Sequence, residues 1–380
     1  MYACKMPRAV YCGSGALEKL KDLCGSCKKV AVFSDRGIQC AGALEKPLEI
    51  LRTMGVEIEL LLDLPAEPSC EQAQAVADVF EHCDADIIVA IGGGSVMDIA
   101  KLCSILSPGH VGVRDLLNDP SKAEKRIRTV MVPTTAGTGA EATPNAIVLV
   151  PEKDLKVGIV CEEMIPDAVI LDGEMIKRLP VHIAAATGVD ALCHAVECYT
   201  SKKATPFSNL YALEALRLIF RHLEPACLDP DALESKNAML RAAFFAGVAI
   251  TCSGTTAVHA LSYPLGGKYH IPHGVANAMM LMPVMRFNAK CCEEELASIY
   301  DALGENGEYD KAHKAQWVLE RMDAMVKRLD IPTDLKQYGV SMEDLDQLVA
   351  SGMAVERLLV NNKRLVTEND ARALYLELLK

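Results

Sequence analysis

The first 180 residues carry their apolar positions in short blocks, and the remaining 200 spread them at helical spacing. Lys29–Asp35, Val56–Leu62, Asp86–Ile91, Thr129–Val132, Ala146–Val150 and Pro166–Asp172 are strand-like blocks, several of them nearly unbroken apolar runs. Such runs fit strands covered on both faces. A helix is expected from Ala16, after the turn glycines Gly13 and Gly15, and others over Ala43–Met54 and Ser69–His82. Strands alternating with helices predict an α/β domain with a largely parallel sheet. After Leu179-Pro180 the strand signals fade. Helices are expected over 182–200, 206–223, 231–252, 255–263, 273–289 and 314–329. Segment 241–250 is almost wholly apolar and reads as a buried helix. At 380 residues two domains are the natural reading, 1–180 being α/β and 181–380 all-helical.

Composition narrows the partners. Hydrophobic residues make up 51% of the chain, enough for a large core, and the net charge is −12. Nothing resembles a basic stripe, which argues against nucleic acid. No apolar run reaches the roughly 18–20 residues that span a bilayer, so no membrane partner is expected. Met1-Tyr2-Ala3-Cys4-Lys5 leads into a proline rather than a hydrophobic leader, and the 15 cysteines are scattered. Both features point to a reducing cytoplasm. Cys24-Gly25-Ser26-Cys27 lacks the second pair a zinc site would use and is read as structural, as is Cys291-Cys292.

Histidine is scarce, nine in all, yet His259, His270 and His273 fall within fifteen residues. Upstream, Asp190 and His194 stand four apart, which on a helix puts both on one face. One carboxylate with three imidazoles (Asp190, His194, His259, His273) suits a divalent metal such as Fe(II) or Zn(II). Taken singly each has a plainer reading: a hydrogen-bonded core histidine, a helix cap or a salt bridge. His82, His110, His182, His222 and His313 fit no motif and are read as structural or surface residues.

The α/β half offers a nucleotide site. Asp35 follows a strand, where an acid accepts bonds from adenosine ribose hydroxyls and repels a 2′-phosphate, favouring NAD over NADP. A helix N-cap is the alternative role. Gly92-Gly93-Gly94-Ser95 lies between a strand and a helix, where glycines let backbone approach phosphate and the helix N-terminus supplies donors. It is neither a Walker A loop nor Gly-x-Gly-x-x-Gly. Pro133-Thr134-Thr135-Ala136-Gly137-Thr138-Gly139 is a second small, hydroxyl-rich loop suited to pyrophosphate and the nicotinamide amide. Asn145 follows it, and Lys156 stands within reach of a cofactor or a surface partner.

Together these stretches resemble the iron-containing (group III, metal-dependent) alcohol dehydrogenase family. The motifs are Gly-Gly-Gly-Ser-x-x-Asp-x-Ala-Lys at 92–101, Pro-Thr-Thr-Ala-Gly-Thr-Gly-x-Glu at 133–141, Asp190 with His194, and His259 with Pro272-His273-Gly274. Asn361-Asn362-Lys363-Arg364 is similar to the family's Asn-Pro-Arg segment, with Lys where Pro is usual. The resemblance implies a Rossmann-like dinucleotide-binding domain, an all-helical metal-binding domain, and metal and nicotinamide meeting in the cleft between them. It implies that Asp190, His194, His259 and His273 ligate one divalent metal, Fe(II) foremost, with Zn(II) or Mn(II) as alternatives. It assigns Gly92, Gly93, Gly94, Ser95 and Asp98 to the NAD pyrophosphate region, Thr134, Thr135 and Thr138 along the cofactor, and Asn145 near nicotinamide and substrate. Members are often homodimers.

The implied reaction is reversible hydride transfer between NAD and a primary or secondary alcohol, with the metal as Lewis acid. A dehydroquinate-synthase-like lyase and a non-catalytic NAD or metal sensor are the alternatives. Many members carry a second His four residues after the first; here that position is Tyr263. Tyr263 and His270 are the candidates to stand in for it in proton relay, ribose with water is the other route, and the relay is left unassigned. Ser253, Thr255 and Thr256 make the segment before His259 small and hydroxyl-rich. This points to a substrate with a polar or anionic tail, such as a sulfo-, phosphono- or carboxy-aldehyde, reached by Lys268, Arg364 or Lys363. Helix capping by those hydroxyls is the plainer reading.

Overall fold

A computed structural model of the chain describes all residues except Met1, Ser107, Pro108, Asp154, Asn306 and Lys380. Eight strands are present among the described residues: β1 Ala9–Cys12, β2 Lys29–Phe33, β3 Glu57–Leu61, β4 Ile87–Gly92, β5 Arg128–Pro133, β6 Asn145–Val150, β7 Leu155–Val160 and β8 Ala168–Leu171. Six of them form one parallel sheet in the order β1-β8-β5-β4-β2-β3. Val30, Val32, Val89, Ile91, Val130 and Ile170 are buried in its core, as their apolar blocks demand. β6 and β7 stand apart as an antiparallel pair.

The strand order sets a topological switch. From β2 the chain steps outward to β3, then returns to place β4 on the other side of β2. The connections at the carboxyl ends of β2 and β4 therefore run in opposite senses and open a crevice, where doubly wound sheets bind nucleotides. Asp35 follows β2, and Gly92-Gly93-Gly94 ends β4. The glycine turn and the Pro133 loop lie side by side because Gly92 pairs with Pro133.

The chain divides into two compact units. One comprises Lys5–Leu179 and Pro230–Gly247; the other holds the N-terminal residues through Cys4, Pro180–Asp229 and the chain from Val248 on. This division departs from a single cut at 180 at two places: the residues through Cys4 go with the helices, and most of the helix Leu233–Ser253 goes with the sheet. Asn237 on that helix accepts from the Gly173 amide at 2.7 Å, and a Cβ on Gly247 would stand only 2.5 Å from the Gly139 carbonyl oxygen. Two glycines thus let the helix press on the hydroxyl-rich loop.

The other unit is helical among the described residues. Its principal elements are Val181–Thr200, Pro206–Leu228, Ala257–Tyr269, His273–Asn288, Glu293–Leu303 and Lys311–Arg328. Gly274 is required where the helix His273–Asn288 begins, because a Cβ there would lie 2.5 Å from the Ala186 carbonyl. This close approach brings the start of that helix against Val181–Thr200. No single helix among the described residues is long and apolar enough to cross a membrane.

Candidate active site

Three helices of the helical unit supply the metal-type cluster. Asp190 and His194 lie one turn apart on Val181–Thr200, His259 is the third residue of Ala257–Tyr269, and His273 opens His273–Asn288. One potential ligand atom from each of the four lies within 4.8 Å of the other three. Asp190 Oδ1 stands 3.7 Å from the Nε2 atoms of His259 and His273, and Oδ2 is 3.9 Å from His194 Nδ1. The His194 and His259 rings stack at 4.5 Å. Asp190, His194 and His259 are buried and His273 is half-buried. Burial opposes ionisation of Asp190, but the three imidazoles and the Asn277 amide outweigh it and hold its carboxyl below the ordinary value.

Two residues that sequence reasoning passed over organise this cluster. Glu197, one turn beyond His194, is fully buried. Its carboxylate accepts from Thr256 N at 2.9 Å, Thr256 Oγ1 at 2.7 Å, Val258 N at 2.9 Å and His259 Nδ1. It therefore caps the N-terminus of the His259 helix, where the dipole favours negative charge. Burial resists its ionisation, and His259 with the Thr256 donors prevails and holds it below the ordinary value. Burial likewise works against charging His259, but Glu197 and Asp190 raise its pKa. With Nδ1–H given to Glu197, the lone pair on His259 Nε2 faces the cluster.

Asn277 is the second. Its Nδ2 donates to Asp190 Oδ1 at 2.7 Å and sits 3.1 Å from Nε2 of both His259 and His273. The amide marks the shared space toward which these ligand atoms converge. Three imidazoles and a carboxylate about one buried focus suit a divalent transition metal. Both residues had a sequence signal: Glu197 is seven residues after Asp190, and Asn277 is four after His273, each on the ligand face of its helix.

In the α/β unit the helix Gly94–Ile105 starts after Gly93 without a side-chain cap. Its first amides are thus available in the manner of phosphate-binding turns. Thr134 N donates to the Gly92 carbonyl at 3.0 Å. A Cβ on Gly94 would approach Thr138 to 3.0 Å, and one on Gly93 would meet Thr135 at 3.6 Å. Beneath them Lys101, wholly buried, donates to Ala140 O at 3.0 Å and to Asn145 O, and pairs with Asp98 at 2.9 Å. The other Asp98 oxygen accepts from Ile147 N at 3.0 Å. Asp98 is thereby committed to holding the loop beneath the glycine turn. Asp35 caps the short helix Arg36–Cys40 through Ile38 N at 2.9 Å. Ser95 Oγ accepts from Glu67 N, and Lys156 pairs with Glu67 at 2.7 Å.

The residues expected at the substrate end divide. Tyr263 is half-buried, with its ring 6.2 Å from that of His273. His270 is exposed and ends the His259 helix in a left-handed conformation, φ 54°. Ser253 Oγ donates to Ala249 O at 3.1 Å, Thr256 serves Glu197, and the Thr255 carbonyl accepts from Asn361 at 2.9 Å. Lys268 is held by Asp344 at 3.0 Å and by Gln347, and Lys363 by Glu295. Arg364 lies over the Phe287 ring at 3.7 Å and donates to the Phe287 carbonyl. The structure gathers the four ligand candidates with Tyr263 beside them. It commits Ser253, Thr256, Lys268 and Arg364 to local partners.

Comparison with known proteins agrees with this geometry. Residues 7–173 match the family model described as iron-containing alcohol dehydrogenase, and residues 184–379 the Fe-containing alcohol dehydrogenase family C-terminal model. Long-chain-alcohol dehydrogenase 1 of Geobacillus thermodenitrificans is 32% identical over 97% of this chain and 94% of its own length. Sulfoacetaldehyde reductase of Bilophila wadsworthia is 31% identical over 94% and 93%. The crystal structure of a 1,3-propanediol oxidoreductase superposes with a TM-score of 0.91 at 30% identity, covering all of both chains.

Proposed function

The chain belongs to the iron-containing alcohol dehydrogenase family, an oxidoreductase acting on alcohols, and from that premise we propose that it interconverts a short, acid-tailed aldehyde and its alcohol with NAD(H). The observation that carries this reading is the buried convergence of Asp190, His194, His259 and His273. When bound, a divalent cation supplies Lewis-acid polarisation of the substrate oxygen, and nicotinamide carries the hydride. The chain's own residues do the rest. Glu197 fixes the His259 tautomer so that Nε2 is free to ligate. Asp190 provides the negative charge of the ligand set, and Asn277 orients that carboxylate. The uncapped Gly93 turn and the hydroxyls of Thr134, Thr135 and Thr138 suit a pyrophosphate, and Asp35, after β2, suits the ribose of NAD.

The acid tail is supported by the sulfoacetaldehyde reductase among the relatives and by the cation described in the next section. The test is NADH oxidation by protein reconstituted separately with Fe(II), Zn(II) and Mn(II). The panel runs from propanal and glycolaldehyde to succinic semialdehyde, sulfoacetaldehyde and phosphonoacetaldehyde. Metal-dependent turnover fastest on an acid-tailed aldehyde is expected. Turnover restricted to uncharged aldehydes would keep the enzyme class and remove the tail. No turnover with any metal would overturn the reading, and an NAD-requiring lyase without net NADH consumption would take its place.

A further inference from the structure

We propose that Arg357, seated against Tyr263, is the receptor for the acid group of the substrate. The proposal rests on the aldehyde reductase reading above. It starts from a count of charges near the cluster. The three cations that the sequence suggested each have a local partner: Lys268 with Asp344, Lys363 with Glu295, and Arg364 over Phe287 with Asp370 at 3.9 Å. Arg357 differs. Its guanidinium carbon lies 6.0 Å from the centre of the Tyr263 ring. Among the described residues no carboxylate pairs with it. Its side chain is exposed, and apart from the bond it makes to the Tyr263 hydroxyl its donors are open to a ligand.

The backbone beneath Arg357 is fixed. Val355 and Leu358 pack with Ala260, and Tyr263 and Leu359 close the same small apolar cluster. Ala260 and Tyr263 lie on the helix that carries His259. The arginine is thus anchored to the element that carries a ligand of the cluster. A tyrosine hydroxyl accepts and donates at once, so that of Tyr263 can take a bond from the guanidinium and give one to an acid oxygen beside it.

Reach sets the substrate size. The ring of Tyr263 is 6.2 Å from that of His273 and 6.0 Å from the guanidinium carbon, so that carbon is no farther than about 12 Å from the imidazole. After space for a charge-assisted contact at each end, this upper bound admits a chain of no more than about four carbons between carbonyl and acid head, which includes the one of sulfoacetaldehyde and phosphonoacetaldehyde and the two of succinic semialdehyde. A planar guanidinium grips carboxylate, sulfonate or phosphonate through two parallel N–H donors, which an ammonium cannot do. The geometry therefore points to short ω-acid aldehydes as a class. The position usually held by a second histidine carries the tyrosine against which the arginine rests.

The experiment compares kcat/KM for succinic semialdehyde, sulfoacetaldehyde and phosphonoacetaldehyde with that for propanal, in the metal-loaded enzyme and in Arg357→Gln, Arg357→Lys and Tyr263→Phe. In Arg357→Gln the ratio of the preferred acid aldehyde to propanal should fall about 30- to 100-fold, the range for a lost hydrogen bond to a charged group. Arg357→Lys should recover only part of it, and Tyr263→Phe should lower it several-fold. Arg372→Gln, which removes the same charge from a surface pair with Asp346, controls for net charge and should leave the ratio unchanged. Calorimetric titration with ethanesulfonate and with propionate gives a readout independent of turnover, and affinity should drop at least tenfold in Arg357→Gln. Which acid head is preferred separates sulfonate, phosphonate and carboxylate as the natural tail. Propanal turnover with a ratio that ignores Arg357→Gln would overturn the proposal and leave the dehydrogenase reading standing. If no aldehyde is turned over, the dehydrogenase reading fails, and equal ethanesulfonate and propionate affinities in wild type and Arg357→Gln would then overturn the arginine site separately.

Discussion

Replacing Glu197 with glutamine tests how the cluster is held, because it changes one oxygen to an N–H₂ and removes one charge. The carboxylate Oε1 accepts from Thr256 N, Thr256 Oγ1 and Val258 N, while Oε2 takes the proton-bearing Nδ1 of His259. A glutamine keeps the cap by leaving its oxygen at the first set of donors. Its amide then points N–H at His259 Nδ1, and two donors cannot face each other. The imidazole must move its proton to Nε2, the atom that faces Asp190 at 3.7 Å, where it can no longer ligate. Losing such a partner costs about 10- to 100-fold in metal affinity, or roughly 1.4–2.7 kcal/mol. Chelator competition with Zn(II) measures that loss, and histidine ¹⁵N shifts of the metal-free protein read the tautomer. Circular dichroism checks that the capped helix survives. Affinity within twofold of wild type, with Nδ1 still protonated, would refute the reasoning. Weaker binding with the tautomer unchanged would assign the effect to the lost charge instead.

Three further outcomes follow from the α/β unit. Glu141 is buried, its Oε1 has no hydrogen-bond partner, and burial, against its own backbone amide and the charge of Lys101, raises its pKa from 4.5 to about 7. The folded protein then keeps a proton that the unfolded chain releases near 4.5, so stability should decline between pH 4.5 and 7 and level off above. Glu141→Gln should flatten that slope and stabilise the protein at pH 8 by up to about 3 kcal/mol in urea unfolding, whereas parallel pH profiles would refute the shift. Gly247→Ala puts a Cβ 2.5 Å from the Gly139 carbonyl and should destabilise by about 1–3 kcal/mol in the same assay. Asp35→Gly should improve the use of NADP relative to NAD in steady-state kinetics, and an unchanged preference would remove Asp35 from the ribose site.

Which features the sequence disclosed follows from what each depends on. β2, β4 and β5 were legible because strands buried on both faces need unbroken apolar runs. β1 was hidden: it is a four-residue edge strand with alternating exposure, set between a proline and two glycines. The helix over 231–252 was legible, but its allegiance to the sheet was not, since that depends on Gly139 meeting Gly247 more than a hundred residues away. The four ligand candidates were betrayed by the scarcity of histidine. Glu197 and Asn277 occupy the same helix faces, but glutamate and asparagine are common and draw no notice until their partners are seen. The hydroxyls before His259 drew notice as a run, but their bonds could not be read from the sequence. Ser253 and Thr256 serve helix ends and a buried acid, while a cation with no carboxylate partner among the described residues lies at Arg357, 94 positions after Tyr263 in the chain.

The two buried acids also bear on how the site would receive the proposed acid-tailed substrate. Asp190 and Glu197 lie seven residues apart on one face of Val181–Thr200, and each is kept ionised by different means. Asp190 relies on imidazoles and an amide, and Glu197 on a helix N-terminus and His259. Two negative charges in a dry interior are costly without compensation. A divalent cation held by Asp190 and the three imidazoles would balance both, leaving the cluster close to neutral, whereas either acid alone would leave an excess. An acid-tailed aldehyde approaching the loaded protein therefore meets a near-neutral focus with one guanidinium beside it. Without the cation it would face two carboxylates, and their repulsion would work against Arg357. Under the proposal, cation binding and recognition of the tail would therefore be linked through charge, although Arg357 is not itself a ligand of the cluster.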